Sequence, residues 1–223
     1  MPSALCDDDD EWLPDKARLQ VEALRRHPQS MFATCGVYLG DGTSARRNPS
    51  RVPDRELLTM DDLLSSARNE LHSSTFMVSR HDILDRVGLV DEAIPGSYGE
   101  DYDWLVRAAR VAPVVAVTQP LVRVRWQFSY FADRWGTIIE AIDYQLERRP
   151  ELLQQRGNLA RLYGRLAFAH AALGHRSEAR TYAKRSLSLD RRQPRPYLAY
   201  LVSWGLVKPH RVVKVAHRFG RGV

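Results

Sequence analysis

The sequence predicts an α/β domain followed by an all-α region, and three observations support this division. Phe32–Leu39 is an apolar run typical of a buried strand, and it lies between amphipathic helical segments. The β-branched residues within 114–124 predict a strand pair, or one bent strand, interrupted by Gln-Pro. From Trp135 onward only helical periodicity is found. We therefore predict one domain at residues 1–132 and a helical extension at residues 133–223.

The other elements of the α/β domain follow from the same periodicities and from turn residues. We expect a strand at Ser3–Cys6, a helix from Pro14 to just before Pro28, a helix at Met60–Glu70, a strand at Ser73–Val78, a helix at His81–Val87 stopped by Gly88, and a helix opening at Glu100 with Leu105, Ala108, Ala109 and Ala112 on one side.

The helical extension contains a helix-turn-helix unit around Gly174 that looks like a tetratricopeptide-type hairpin. A solenoid needs about three such units to bury a continuous core, and one is recognisable. Two interpretations stay open: a helical cap packed on its neighbours, or a peptide-binding module.

The composition is that of an ordinary globular protein, with 44% hydrophobic and 27% charged residues. The two cysteines, Cys6 and Cys35, lack CxxC spacing, which gives little support to a disulfide framework or a zinc site. We expect a reducing, cytoplasmic compartment.

The positive charge is concentrated at the C-terminal end. Residues 191–223 hold eight Lys/Arg and no Asp/Glu, which argues for an anionic surface as a partner. The apolar run 197–207 is too short to span a bilayer, which takes about 20 residues.

The segment 210–219 predicts a basic amphipathic helix with Val212, Val215, Ala216 and Phe219 on its apolar face. We expect peripheral contact with the inner face of the plasma membrane through residues 208–223. The alternative is the solvated basic face of a docked helix. Nucleic acid is not an expected partner, because no recognised motif accompanies the charge.

The first candidate site is the acidic run Asp7-Asp8-Asp9-Asp10, placed where an apolar segment gives way to a helix. In an extended segment Asp7 and Asp9 point the same way, so together they could face a hard divalent cation. The alternative is a solvated acidic loop near a helix N-terminus.

The second candidate site is Glu100-Asp101 at the start of a predicted helix. Acidic residues at that position also cap helices. Two separate acidic sites in an α/β pattern nevertheless favour a ligand site, because such sites collect at the carboxyl ends of strands.

Two sequence blocks resemble family 2 glycosyltransferases of the GT-A fold. ALCDDDDEWLPDKARLQ is similar to the segment that carries the metal-binding DxD motif of that family. STFMVSRHDILDRVGLVD, with the following GEDYDWLVRAAR, resembles the family's downstream block that leads to the Glu-Asp catalytic motif. The blocks occur in the family's order, and the resemblance covers about residues 3–130.

The resemblance implies a role for each matching position. Asp7 and Asp9 would bind Mn²⁺ or Mg²⁺, with Asp9 favoured as the direct ligand. Asp101 would be the catalytic base and Glu100 would position the acceptor. The reaction implied is inverting transfer of a sugar from a nucleotide-sugar donor to a glycan or lipid-linked acceptor, in cell-surface glycan or polysaccharide synthesis.

The chain also departs from the family's pattern. The strand-helix units that hold the donor nucleotide in the family precede the DxD, so the resemblance implies a partial GT-A sheet without its N-terminal nucleotide-binding units. Gln127 stands where relatives often have a His. The competing hypothesis is a non-catalytic transferase remnant that acts as a helical-repeat interaction protein.

Two tryptophans and two histidines lie in or near these blocks. Trp12 and Trp104 could stack on sugar rings or belong to the core. His72 and His81 have no partner at metal-ligand spacing in the sequence, and no role is predicted for them.

Overall fold

The computed structural model describes residues 2–40, 50–65, 71–125, 131 and 133–218. The chain is mixed α/β and divides into two compact units. The first comprises residues 1–63, 67–91 and 100–127, and the second comprises residues 64–66, 92–99 and 128–223. Residues 92–99, which the sequence analysis placed in the α/β domain, thus belong to the helical unit.

The first unit is built on a mixed β-sheet. Its described strands are β1 (Pro2–Ala4), β2 (Glu11–Trp12), β3 (Phe32–Leu39), β4 (Ser50–Arg51), β5 (Leu57–Leu58), β6 (Met77–Ser79) and β7 (Val114–Val124). The order is β1-β6-β3-β7-β2, with β4 paired to β3 and β5 paired to β7. The β3–β7 pair is parallel, and the other pairs are antiparallel.

The helices of this unit are α1 (Lys16–Arg26), α3 (Arg80–Arg86), α4 (Glu100–Val111) and the first four residues of α2 (Met60–Ser65), and a short 3-10 helix covers Ser73–Thr75. Alternate residues of the central strands enter different clusters. On α1, Ala23 packs with Ala33 and Val115, whereas α4 packs Trp104 against Phe32. This alternation is the period-2 pattern of a sheet buried on both faces.

Several predicted elements are confirmed and two are corrected. Phe32–Leu39 is a strand as predicted, and α4 buries Leu105, Ala108 and Ala109. Helix α1 begins at Lys16 rather than Pro14, because Pro14 and Asp15 lie in the turn before it. The predicted strand Ser73–Val78 is wrong in its first half, since Ser73–Thr75 is the 3-10 helix and the strand begins at Met77.

The bent-strand alternative for residues 114–124 is correct. Strand β7 is continuous, but its pairing with β3 is irregular: Cys35 pairs with Val117, whereas the next residue, Gly36, pairs with Pro120. The extra residues of β7 are therefore accommodated opposite Gly36, as in a β-bulge.

The second unit is helical. Its helices are α5 (Trp135–Arg148), α6 (Glu151–Gln154), α7 (Arg156–Ala172), α8 (Arg176–Leu189), α9 (Pro194–Ser203) and α10 (Pro209–Arg218), and a 3-10 turn covers Pro95–Ser97. The predicted hairpin is confirmed as α7 and α8, which meet at Gly174 with φ +82°. Small residues such as Ala167, Ala179 and Ala183 let these helices pack closely around Phe168.

None of the helices in the described ranges is long and apolar enough to cross a membrane. Helix α10 is docked by Val212 and Val213, which are buried in the same core as α7 to α9. Val215, predicted to lie on the apolar face, is instead exposed, and Phe219 lies outside the described residues.

The close packing around Gly36 at the bulge predicts that a larger residue there destabilises the fold. A Cβ at Gly36 would lie 2.7 Å from the Arg51 carbonyl oxygen and 3.0 Å from that of Gln119, so backbone must move to accept it. We expect Gly36→Ala to lower the free energy of unfolding by about 1–3 kcal/mol, as overpacking does. Urea denaturation followed by circular dichroism measures the change.

The matched control is Gly136→Ala, where an added Cβ meets nothing within 4 Å. Because Gly136 lies in α5, this substitution should change stability by less than about 1 kcal/mol, in the stabilising direction. Equal effects of the two substitutions would contradict the packing argument.

Candidate functional site

The acidic run forms a tight turn between β1 and β2. The Asp10 N–H donates to the Asp7 carbonyl oxygen at 3.2 Å, which leaves Asp8 and Asp9 as the two central residues of the turn. The segment is therefore not extended, and the expectation that Asp7 and Asp9 point the same way does not hold. A turn of this kind instead brings its first and last residues close together.

Hydrogen bonds from the segment before β6 fix the first residue of the turn. The Asp7 N–H donates to Ser74 Oγ at 3.0 Å, and Ser73 Oγ donates to the Asp7 carboxylate at 2.9 and 3.1 Å. Trp12 Nε1 donates to the Ser74 carbonyl oxygen at 2.9 Å. The acidic turn and the segment around Ser74 thus form one hydrogen-bonded assembly, although more than 60 residues separate them.

The last residue of the turn is fixed by the end of β7. Asp10 Oδ1 accepts the Arg125 N–H at 3.1 Å, and the Asp10 side chain is only 1% exposed. Two other contacts join the same strands: Leu13 N–H donates to the Leu121 carbonyl oxygen at 2.9 Å, and β2 pairs with β7. Asp10 is consequently held at the carboxyl end of a central strand, where ligand sites of α/β sheets collect.

His72 completes a group of three potential metal ligands with Asp7 and Asp10. One ligand atom from each residue lies within 4.8 Å of the others, and His72 Nδ1 is 3.3 Å from Asp10 Oδ2. His72 is partly buried, and its backbone carbonyl accepts the Thr75 hydroxyl at 2.6 Å. Thr75 Oγ1 in turn lies 2.7 Å from Thr34 Oγ1 on β3, so a buried network positions the histidine.

The unsatisfied atom in this group is Asp10 Oδ2. It is buried and accepts no hydrogen bond from any residue in the described ranges. A buried carboxylate oxygen without a donor is costly, and either a bound cation or a protonated His72 ring, 3.3 Å away, would offset that cost. His72 Nδ1 lies 3.3 Å from Asp10 Oδ2 and also accepts the Ser74 N–H at 3.4 Å. Asp7, Asp10 and His72 are thus close enough together that they could hold a metal ion.

The predicted site residues are only partly brought together. Asp7 lies in the group, whereas Asp9 is exposed in the turn and lies outside it. Asp10 and His72, for which no role is predicted from sequence, complete it. No local pattern indicates a role for His72, because its partners are 62 and 65 positions away. His81, the other histidine considered, is exposed and lies 3.2 Å from Asp85 on the same helix.

Asp101 lies in the electrostatic field of the same group. Burial raises the pKa of its carboxyl group, the Tyr102 N–H that it accepts at 2.7 Å lowers that pKa, and the charges of His72 and Asp7 shift it in opposite directions. Asp101 and the group around His72 therefore belong to one electrostatic neighbourhood. Glu100, the other predicted residue, is partly buried at the first position of α4.

Other residues of the two motif blocks have structural roles. Asp103 is buried and forms an ion pair with Arg107 at 2.8 Å, and Arg107 also donates to the carbonyl oxygens of Val87 and Leu89. Trp104 is a core residue, as the second interpretation held, and its Nε1 donates to the Gly88 carbonyl oxygen. The Gln127 position lies outside the described residues.

Lys16 is a fully buried cation next to the acidic turn. Its Nζ lies 4.0 Å from the centroid of the Trp12 ring and has no hydrogen-bond partner among the residues that the structure describes. Burial lowers the pKa of Lys16 to about 8. Burial also raises the pKa of the neighbouring Cys35 thiol to about 12, so that thiol is not a reactive thiolate at neutral pH.

No known family model matches the chain, and no curated protein matches it.

The ligand group predicts how Mn²⁺ binding responds to substitution. We expect Asp10→Asn and His72→Ala each to weaken Mn²⁺ binding about tenfold or more, because each removes one of three ligands. Isothermal titration calorimetry with Mn²⁺ alone measures this.

Asp8→Asn is the matched control, because it removes the same charge from an exposed position in the centre of the turn. Asp9→Asn tests the original expectation: a loss as large as that of Asp10→Asn would show that Asp9, and not the group with His72, binds the ion.

The buried Lys16 predicts a pH-dependent stability. Its pKa is about 8 in the folded chain against an ordinary 10.5, so between these values the unfolded chain binds more protons and stability rises with pH. Lys16→Met removes this dependence. We expect the variant to be more stable than the wild type at pH 7. The difference in the free energy of unfolding should shrink between pH 8 and pH 10.5, by at most about 1.4 kcal/mol for each pH unit.

Urea denaturation at a series of pH values measures the difference, and Lys184→Met, at an exposed position of α8, is the control. Wild-type and Lys16→Met profiles that run parallel across this range would show that the ammonium group is not buried as described.

Proposed function

We propose that this protein is a metal-dependent inverting glycosyltransferase that moves a sugar from a nucleoside-diphosphate donor to an acceptor hydroxyl group. The observation that carries the proposal is the group formed by Asp7, Asp10 and His72. The charges of two of its members, Asp7 and His72, also shift the pKa of Asp101, which supports a common site for the two acidic blocks. The order of the two blocks, which resembles the family 2 pattern, supports the same reaction.

In this proposal Asp7, Asp10 and His72 hold the divalent cation. When bound, the cation supplies the positive charge that stabilises the diphosphate leaving group. Two carboxylates and one imidazole favour Mn²⁺ over Mg²⁺, because Mg²⁺ strongly prefers oxygen ligands. The hydrogen bonds from Ser73 and Ser74 hold Asp7 in place before any ligand arrives.

Asp101 is the proposed general base. An inverting displacement needs a carboxylate within hydrogen-bond reach of the acceptor hydroxyl on the face opposite the leaving group. Burial raises the pKa of Asp101 and so makes its carboxylate a stronger base than an exposed aspartate. Its neighbour Glu100 would position the acceptor.

The donor, acceptor and location form the remainder of the proposal. The donor is a nucleotide sugar, and the acceptor is a glycan or a lipid-linked sugar. The reaction would take place in the cytoplasm during synthesis of cell-surface glycans.

The role of Asp101 predicts a loss of turnover without a loss of metal. We expect Asp101→Asn to reduce transfer or hydrolysis of a nucleotide-sugar panel by about a hundredfold or more, since a general base contributes about 10²–10⁴-fold. Mn²⁺ affinity should stay within a factor of a few of the wild type. Asp85→Asn, an exposed carboxylate on α3, is the control for charge.

The pH profile provides a second readout. Because the pKa of Asp101 is raised, the activity of the wild type should fall with decreasing pH at a value above the ordinary range of aspartate. Turnover that survives Asp101→Asn would exclude this base. Absence of turnover with every donor, with Mn²⁺ still bound, would favour the non-catalytic interaction protein.

A further inference from the structure

The helical unit carries an exposed set of aromatic and apolar side chains at the end of α9. Tyr197, Tyr200 and Trp204 follow one another at i, i+3 and i+7, which places them on one face of the helix. Trp204 is 59% exposed and its ring stacks on Tyr200 at 5.7 Å between centroids. Leu206, in the turn that follows, is 67% exposed.

The residues of this face differ in burial: Tyr200 is partly buried and packs against the core of the unit, whereas Tyr197, Trp204 and Leu206 are exposed. The opposite side of α9 buries Ala199 and Val202, which pack in the same cluster as Val212 and Val213 of α10. Trp204 and Leu206 therefore keep more than half of their surface exposed, while both helices use their other faces for the core. Large exposed apolar side chains that lie next to one another mark interaction sites.

The exposed side of α10 is basic. Arg211 and Lys214 are exposed on the helix, Lys208 is exposed just before it, and Val215, 54% exposed, lies one helical turn after Arg211 on the same side. No acidic residue occurs from position 191 to the end of the chain. The segment that carries these apolar side chains thus supplies positive charge and no negative charge.

We propose that this aromatic-basic surface, formed by Tyr197, Tyr200, Trp204, Leu206 and the cations Lys208, Arg211 and Lys214, binds an anionic lipid bilayer. Tyrosine and tryptophan are the side chains that favour the membrane-water interface, because an apolar ring carries a polar group at its edge. Lysine and arginine next to them are attracted to anionic headgroups. An acidic protein surface would form ion pairs with the lysine and arginine side chains. It would not explain why Trp204 and Leu206 are exposed next to them.

The surface differs from the amphipathic helix predicted from sequence. The apolar face of α10 is occupied, because Val212 and Val213 pack in the core of the unit. The inserting residues are instead Trp204 and Leu206 in the turn before α10, where Gly205 adopts φ +75°. The proposal does not depend on the sugar-transfer reaction, since it uses none of the residues of that site.

The test is co-sedimentation of the full chain with vesicles of phosphatidylcholine mixed with phosphatidylglycerol, compared with vesicles of phosphatidylcholine alone. We expect binding to the anionic vesicles and at least tenfold weaker binding to the neutral ones. The double variant Trp204→Ser/Leu206→Ser should weaken binding to anionic vesicles about tenfold or more. Leu89→Ser, at a 68% exposed leucine of the α/β unit, should leave it unchanged.

The charge contribution has its own matched pair. Lys208→Glu/Arg211→Glu/Lys214→Glu should reduce binding about a hundredfold, because each cation near an anionic surface contributes roughly a factor of five. Arg176→Glu/Arg180→Glu/Lys184→Glu makes the same charge change at exposed positions of α8 and should have a much smaller effect.

Insertion can be observed directly as quenching of tryptophan fluorescence by brominated lipids, which Trp204→Phe should reduce. Three results would overturn the proposal: no binding to anionic vesicles, as an acidic protein partner predicts; equal losses for the two charge variants; or binding unaffected by Trp204→Ser/Leu206→Ser. The matched variants show whether any loss is specific to this surface.

Discussion

The attachment of the acidic turn to two distant segments is the constraint on which the candidate site depends. Four adjacent carboxylates repel one another, and on their own they would favour a solvated loop. Here the segment around Ser74 binds the Asp7 end of the turn, and the Arg125 N–H binds the Asp10 end. Ser73 Oγ donates to the Asp7 carboxylate and the Arg125 N–H donates to the Asp10 carboxylate, so two of the four charges are held in place by hydrogen bonds.

The partners of Asp101 and Asp103 explain why these two aspartates of one motif have different roles. Asp103 is buried beside Arg107, which neutralises it and ties α4 to the segment after α3. Asp101, two positions earlier, accepts the Tyr102 N–H, and the charges of His72 and Asp7 shift its pKa in opposite directions. Asp103 thus stabilises the fold through its ion pair, whereas the net effect on Asp101 is a raised pKa, which is what the proposed role as a base requires.

Local patterns were sufficient to predict much of the fold. Strand β3 is marked by its apolar run, and helices α4, α7 and α8 are marked by their helical periodicity. Each of these patterns lies within a single element, so it can be recognised in the local sequence. Ser73–Thr75 is a 3-10 helix and not the predicted strand. Its polar side chains form hydrogen bonds with the acidic turn and with His72, and no local pattern reveals these contacts. His72 was missed for the same reason: its metal-ligand partners are brought to it by tertiary structure, and the turn at Asp8-Asp9 replaces Asp9 with Asp10.

The irregular pairing of β7 has a consequence for how this chain can change. The extra residues between Val117 and Pro120 set how far along the sheet the end of the strand reaches, and the next segment supplies the Arg125 amide. Loss of one residue there would withdraw that amide by about 3.3 Å and turn it toward the other side of the strand. The number of residues in this segment therefore matters more than their identity, even though Thr118 and Gln119 are themselves exposed.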